Sequence, residues 1–469
     1  MPLPQSLPDG LDEYLTSISA EALAALIAEI EDARRPDGRA DEVGELVLKT
    51  ARRLVREGRL AVNRVVTPRR LFCGPLEPFL ADGTMPDKQR GRIERGSLGR
   101  IHQWLERDLL PERMPELTRQ ARAELAAGDM KAAERTTARM RGAAIEAIRP
   151  VLAECDKNER MRRRMAAHVG GAQALEDARD TIDIFEHGVN LRAFSSLLPK
   201  PASEFDEAQQ LACMETIDRF AKRHPHMVPI ALAAAMARLA QPAQALRLAA
   251  RAVGTDEAER LATHPYGAAG ELVLHDIERS ARNFIAGLDS RLPYADIRRH
   301  FTRYHALAQG LQVESEMARD DAWAVRLSQV RKLISERLAP EVSATPRVLK
   351  ASLLQRQNSP VHVPDEADLE AAEFAINLMR DIRLFVSELA LNDLVSRTAR
   401  EVDLFMNYLG DFIVERLRRA DPAEHAAAAA LLDGAVRLTR LACGDVLADL
   451  LHRGGSGVLQ ELEPLTEAG

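Results

Sequence analysis

The chain has 469 residues, enough for two to four domains with real hydrophobic cores, and apolar residues make up 46% of it while aromatics make up only 4%. Ala and Leu must therefore carry the core, as happens where helices approach closely and strands are few, which favours an all-α fold. A formal charge of -7 excludes a general attraction to nucleic acid or to an anionic membrane, so any such partner must be bound locally.

The 64 basic residues are 56 Arg and 8 Lys. A GC-rich genome explains that skew more economically than phosphate recognition does. Cys73, Cys155, Cys213 and Cys443 lie far apart without a CxxC pair, which predicts reduced thiols and neither a disulfide framework nor a zinc knuckle. Met1 to Tyr14 contains no Lys or Arg and no long apolar stretch, which argues against secretion. Apolar runs such as Met227 to Ala237 are too short and too interrupted to span a bilayer. A bacterial cytoplasmic protein without membrane insertion is expected.

Taken in chain order, helix signals are dense. In Ser19 to Arg35, Leu23, Leu26, Ile27 and Ile30 fall on one face, and Pro36 with Gly38 ends the run. Residues 60 to 100 carry Pro68, Pro75, Pro78 and Pro86, spaced too closely for long helices, and Leu60 to Val66 has the pattern of a short strand. Gly128-Asp129 and Gly254-Thr255 each read as a helix-ending Gly followed by a capping side chain. From Asp320 to Leu338, Trp323, Leu327, Val330, Ile334 and Leu338 form a stripe whose opposite face is charged. Farther on, Phe374, Leu378, Ile382, Phe385 and Leu389 share a face, as do Phe405, Tyr408, Leu409 and Phe412. Packing against Asp421 to Leu451 is the expected cover for these stripes. Asp421-Pro422-Ala423-Glu424 is a full helix start, with an acid cap, Pro at N1 and a carboxylate at N3.

These signals predict an array of antiparallel helical hairpins, with a small irregular N-terminal module and a C-terminal bundle. Breaks at Leu198 to Pro201 and Gln355 to Pro364 suggest four segments: 1–110, 111–200, 201–355 and 364–455. Leu125-Ala-Ala-Gly128-Asp129, followed by Ala132-Ala133, resembles the turn of a tetratricopeptide-type hairpin, and Leu239-Ala-Gln-Pro242 is similar to it. A solenoid-like stacking is one arrangement that resemblance allows, although no fixed period joins the two turns.

Three constellations offer chemistry. In Arg69-Arg70-Leu71-Phe72-Cys73-Gly74-Pro75-Leu76-Glu77-Pro78-Phe79, the side chains of Phe72, Leu76 and Phe79, flanked by Arg69 and Arg70, are candidates for docking into a partner's groove. The alternative is that they plug the protein's own core. Around them the charge reverses: residues 1–48 carry 3 Arg and 11 acids, whereas residues 49–100 carry 13 bases and 5 acids. That basic segment would bind phosphates in a salt-dependent way unless neighbouring acids neutralise it. Arg160, Arg162, Arg163 and Arg164 read as a solvated helix face.

The third constellation is enzymatic. Glu271-Leu-Val-Leu-His275-Asp276-Ile277 resembles the metal-binding helix of HD-type phosphohydrolases, which are all-α, and Arg223-His224-Pro-His226 with the apolar run after it is similar to the helix that supplies their first His. The resemblance implies a divalent metal on His226, His275 and Asp276, activating water against a phosphoester, with Asp320 or Asp321 as the distal carboxylate. His305-Ala-Leu-Ala-Gln-Gly310 resembles the histidine of a phosphotransfer bundle, with Gln309 where that signal carries Lys. No Gly-rich phosphate loop, GxSxG elbow or HExxH occurs, and no cofactor or catalytic residue is expected. The leading expectation is a non-enzymatic interaction or scaffold protein that binds a protein partner or itself. A metal-dependent phosphohydrolase and a nucleic-acid binder are the alternatives.

Overall fold

The computed structural model describes residues 11, 14–18, 23, 26–27, 30, 42–56, 66–83, 86–199, 201–202, 205–354, 360–385 and 389–462. Among the described residues the backbone is 82% helical and almost free of strand, so the fold is all-α. Contacts gather it into two units, 1–256 with 260–272, and 257–259 with 273–469. This division differs from the four segments expected from the sequence. The segment around Pro75 packs on helices of the 111–200 and 201–355 stretches alike, which brings parts of three expected segments into one unit.

The first unit contains α1 (Glu42–Arg56), α2 (Pro68–Cys73), a 3-10 segment (Gly74–Phe79), the strands β1 (Leu80–Ala81) and β2 (Ile93–Glu94), and α3 (Arg95–Trp104). It continues through α4 (Arg113–Ala126), α5 (Met130–Lys157), α6 (Glu159–Val169), α7 (Ala172–Glu186), α8 (Gly188–Ser195), α9 (Glu207–Arg223), α10 (Val228–Met236) and α11 (Leu246–Val253). The two strands pair in parallel, Leu80 with Ile93 and Ala81 with Glu94. The strand expected over Leu60 to Val66 lies, apart from Val66, outside the described residues.

Local rules explain the boundaries. Gly128 takes φ +75°, a conformation open to glycine, and the Asp129 carboxylate then accepts the Ala132 N–H at 2.9 Å to open α5. Gly254 closes α11 in the same left-handed way, φ +79°. Leu23 is buried on α1 residues such as Val47, Ala51 and Leu54, with Leu26, Ile27 and Ile30 packed beside it, so the expected stripe does face a core. In α10 every residue except Pro229 is buried, which makes it the central rod of this unit.

The second unit contains most of α13 (Ala268–Asp289), which follows the short α12 (Ala258–Thr263), then α14 (Tyr294–Glu314), α15 (Ala322–Leu353), α16 (Glu366–Leu384), α17 (Asn392–Arg418), α18 (His425–Cys443) and α19 (Asp445–Leu462). The stripe from Trp323 to Leu338 is buried throughout. Phe405, Leu409 and Phe412 join residues of α15, α16, α18 and α19 in one apolar cluster, so the C-terminal stripes are covered within the chain, while Tyr408 points to solvent. α18 begins as predicted, through a 3-10 turn at Pro422–Glu424 in which the Glu424 carboxylate accepts the Asp421 N–H at 3.4 Å. Among the described residues, no helix is long and apolar enough to cross a membrane.

Candidate functional site

The predicted docking loop turns inward. Phe72, Leu76 and Phe79 are 2%, 1% and 2% exposed, and the Phe72 ring stands edge-on to His102 at 5.5 Å and to Phe185 at 5.1 Å. They fill the first unit's own core, which corrects the expectation that they dock into a partner. An irregular segment needs such anchors to hold one conformation. Arg69 is half-buried and Arg70 exposed beside them. Cys73 lies within this segment, where burial pushes its thiol up to about 11, so it stays protonated and unreactive at neutral pH.

The C-terminal half of the basic segment is neutralised internally. Lys88 reaches Asp177 at 2.6 Å and Asp180 at 2.8 Å, Arg90 reaches Asp180 at 3.0 Å and also pairs with Asp183, and Arg95 pairs with Asp82 at 2.8 Å. Asp177, Asp180 and Asp183 lie three residues apart on α7 and therefore share one face. Backbone completes the clamp: the Gly91 N–H donates to Asp180 at 2.9 Å and the Glu94 N–H to Asp177 at 3.1 Å. Burial raises the Asp177 pKa, and the Lys88 cation opposes that rise. The side chains of Arg52, Arg53 and Arg56, together with residues 57–65, lie outside the description. In the cluster at 160–164 the arginines are exposed, and Arg162 and Arg163 pair with Glu176 and Glu159.

His226 belongs to the first unit, His275 and Asp276 to the second. Asp276 is 1% exposed; Arg279 Nη2 donates to it at 2.9 Å and Arg303 stands 3.5 Å from its other oxygen. Two guanidinium groups balance this carboxylate. Asp321 caps a turn by accepting the Ala318 N–H at 2.7 Å, and Asp320 is exposed. His305 stacks on Phe385 with ring centres 4.2 Å apart, a packed edge of the helix.

Sequence reasoning missed a groove of about 1040 Å³ in the first unit. One wall is apolar: Leu71, Pro75 and Pro78 at the surface, with the buried Phe79, Ile184 and Leu191 behind them. The other is basic, with Lys131, Arg135 and Arg141 from α5, Arg192 from α8, and Arg238 just after α10. Glu134 is the one carboxylate among its lining residues. Arg141 Nη1 donates to the Leu71 carbonyl at 3.0 Å, and Arg238 Nη2 to the Leu198 carbonyl at 2.6 Å, which fixes both guanidinium groups in the wall without cancelling their charge. Lys131, Arg135 and Arg192 have no ion-pair partner among the described residues. Burial lowers the Arg141 pKa, and the nearby Arg192 cation lowers it further. The wall thus carries a positive potential that a bound anion would relieve.

The sequence signal was the spacing of Lys131, Arg135 and Arg141 on one stripe of α5, opposite the buried Ala133, Met140 and Ala144. Arg192 and Arg238 join from distant chain positions, which no local pattern announces. A second group gathers in the same unit: His187, His224 and His226 offer ligand atoms all within 4.8 Å of one another. Compared with protein-family models, curated proteins and solved structures, the chain matches none.

Proposed function

We propose that this chain is a non-enzymatic helical interaction protein whose first unit receives an acidic, partly apolar segment of a partner protein in the groove between α5, α8 and the 3-10 segment. The observation that carries this reading is the set of cations in that wall, Lys131, Arg135 and Arg192, which have no ion-pair partner among the described residues and stand beside an apolar strip of Leu71, Pro75 and Pro78. Exposed unpaired cations attract acidic side chains during encounter, and the apolar strip provides contact area once the segment is seated. Arg141 and Arg238, already fastened to backbone carbonyls, offer charge at little further cost in side-chain entropy. The basic residues that sequence alone suggested for nucleic acid include Lys88, Arg90 and Arg95, which are paired within the chain, and this favours a protein partner.

The test is fluorescence anisotropy with a labelled peptide in which Asp or Glu alternates with Leu or Phe, titrated with the full chain at low and at physiological salt. Binding that weakens with salt, and weakens at least about tenfold in a Lys131→Glu, Arg135→Glu variant, is the expected result. An affinity indifferent to the double reversal removes the groove from the function. Tighter binding to generic RNA or DNA than to the peptide would restore the nucleic-acid reading instead.

A further inference from the structure

We propose that His187, His224 and His226 form a binding site for one divalent transition-metal ion, with Zn²⁺ as the resident class. His224 ends α9, His226 sits two residues on in a 3-10 turn started by Pro225, and His187 lies at the junction of α7 and α8. The HPH turn therefore presents two imidazoles on a short rigid stretch of backbone, and the third arrives from 37 residues upstream. The His187 and His224 rings lie 4.6 Å apart and the His224 and His226 rings 5.9 Å apart. Nitrogens bound to one zinc lie about 3.4 Å apart, given bonds of about 2.0 to 2.1 Å and tetrahedral angles, so ligand atoms within 4.8 Å need only a side-chain rotation of about an ångström.

The two halves of the site are braced by one guanidinium. Arg90 Nε donates to the His226 carbonyl at 2.9 Å, and its Nη2 pairs with the Asp183 carboxylate, one helical turn before His187. The His187 N–H in turn donates to the Asp183 carbonyl at 3.1 Å, so rotation of either half is coupled to the same ion-paired corner. Burial, and then the neighbouring His224, lowers the His187 pKa, which keeps that imidazole in the neutral form a metal requires. The Asp183 and Glu186 carboxylates act on His187 in the opposite sense, and they also favour a bound cation. Three imidazole nitrogens suit zinc, cobalt, nickel or copper better than magnesium or calcium, and they fill three of the four positions of a tetrahedral ion.

The site stands apart from the groove reading, since it predicts metal affinity with or without a peptide. Tag-free full-length chain, stripped with a chelator, is titrated with Zn²⁺ by calorimetry and with Co²⁺ by visible absorption. One equivalent per chain, a four-coordinate cobalt spectrum, and a zinc-dependent rise in melting temperature are expected. His226→Ala and His224→Ala should each weaken binding by at least about tenfold. His168→Ala, at an exposed position on α6, should leave binding unchanged. His226→Gln, with melting curves recorded in the absence of metal, separates loss of a ligand from loss of fold. No zinc binding by the wild-type chain, or one equivalent that persists in the His224→Ala, His226→Ala double variant, overturns the proposal.

Discussion

Two strips of positive charge in the first unit have opposite fates. Lys88 and Arg90 meet the carboxylates of Asp177, Asp180 and Asp183 and are spent on holding a loop against α7. Lys131, Arg135 and Arg192 have no ion-pair partner among the described residues and stand over an open groove whose one lining acid is Glu134. Both strips look alike in a list of basic residues. What separates them is what stands opposite: α7 offers acids three residues apart, whereas the groove is faced by Leu71, Pro75 and Pro78. Charge becomes a candidate binding surface only where the fold has not already used it.

The largest expected effect is in the clamp. Asp180→Ala removes a carboxylate shared by Lys88, Arg90 and the Gly91 N–H; Lys88 keeps Asp177 and Arg90 keeps Asp183, while the buried Gly91 N–H loses its acceptor. Losing those charge-assisted contacts and orphaning a buried N–H costs about 2 to 4 kcal/mol, which denaturant unfolding will register as a large drop in midpoint. A loss below about 1 kcal/mol would show that the clamp is not a structural pairing. Gly91→Ala tests the same loop through the backbone. Gly91 has φ +85°, and an added Cβ would stand 2.9 Å from the Pro229 carbonyl oxygen, so a cost of about 1 to 3 kcal/mol is expected by the same measurement.

Much of the helical fold was legible in the sequence, because periodicity and caps are local. Trp323 to Leu338 shows its stripe within one segment, and Gly128-Asp129 states where one helix ends and the next begins. The site was largely illegible, for the complementary reason. Asp177, Asp180 and Asp183 make a visible ladder on α7, but only tertiary packing brings Lys88 and Arg90 to it. The HPH turn offers metal ligands in the sequence, and the third donor gathered with it in the first unit is His187, 37 residues upstream. The aromatic loop stands out in the sequence as a cluster of apolar anchors, whether for a partner or for the chain's own core. Which core those anchors enter is a question of burial, and Phe72 at 2% exposure answers it.

A smaller effect comes from the histidines. Burial, followed by the His224 charge, holds the folded-state pKa of His187 below its usual 6.5. A neutral His187 therefore contributes stability that is complete above that value and is lost as pH falls through the folded pKa. Unfolding free energies of the metal-free wild type and His187→Gln should converge as pH is lowered below 6.5. Parallel pH profiles for the two proteins would show that the His187 imidazole titrates alike in the folded and unfolded chains.

The smallest stability effect is expected in the groove, and that is what makes it informative. Lys131 and Arg135 are exposed and unpaired, so reversing both charges removes no partner and buries no new charge. Stability should stay within about 0.5 kcal/mol of wild type in the same denaturant assay that Asp180→Ala fails. Against Arg141 and Arg192, which repel each other across the wall, the new carboxylates can even relieve strain. A loss comparable to the clamp variant would mean that these cations are spoken for within the chain, and the contrast between the two strips would collapse. Retained stability with lost peptide affinity is the combination that only an uncommitted surface produces.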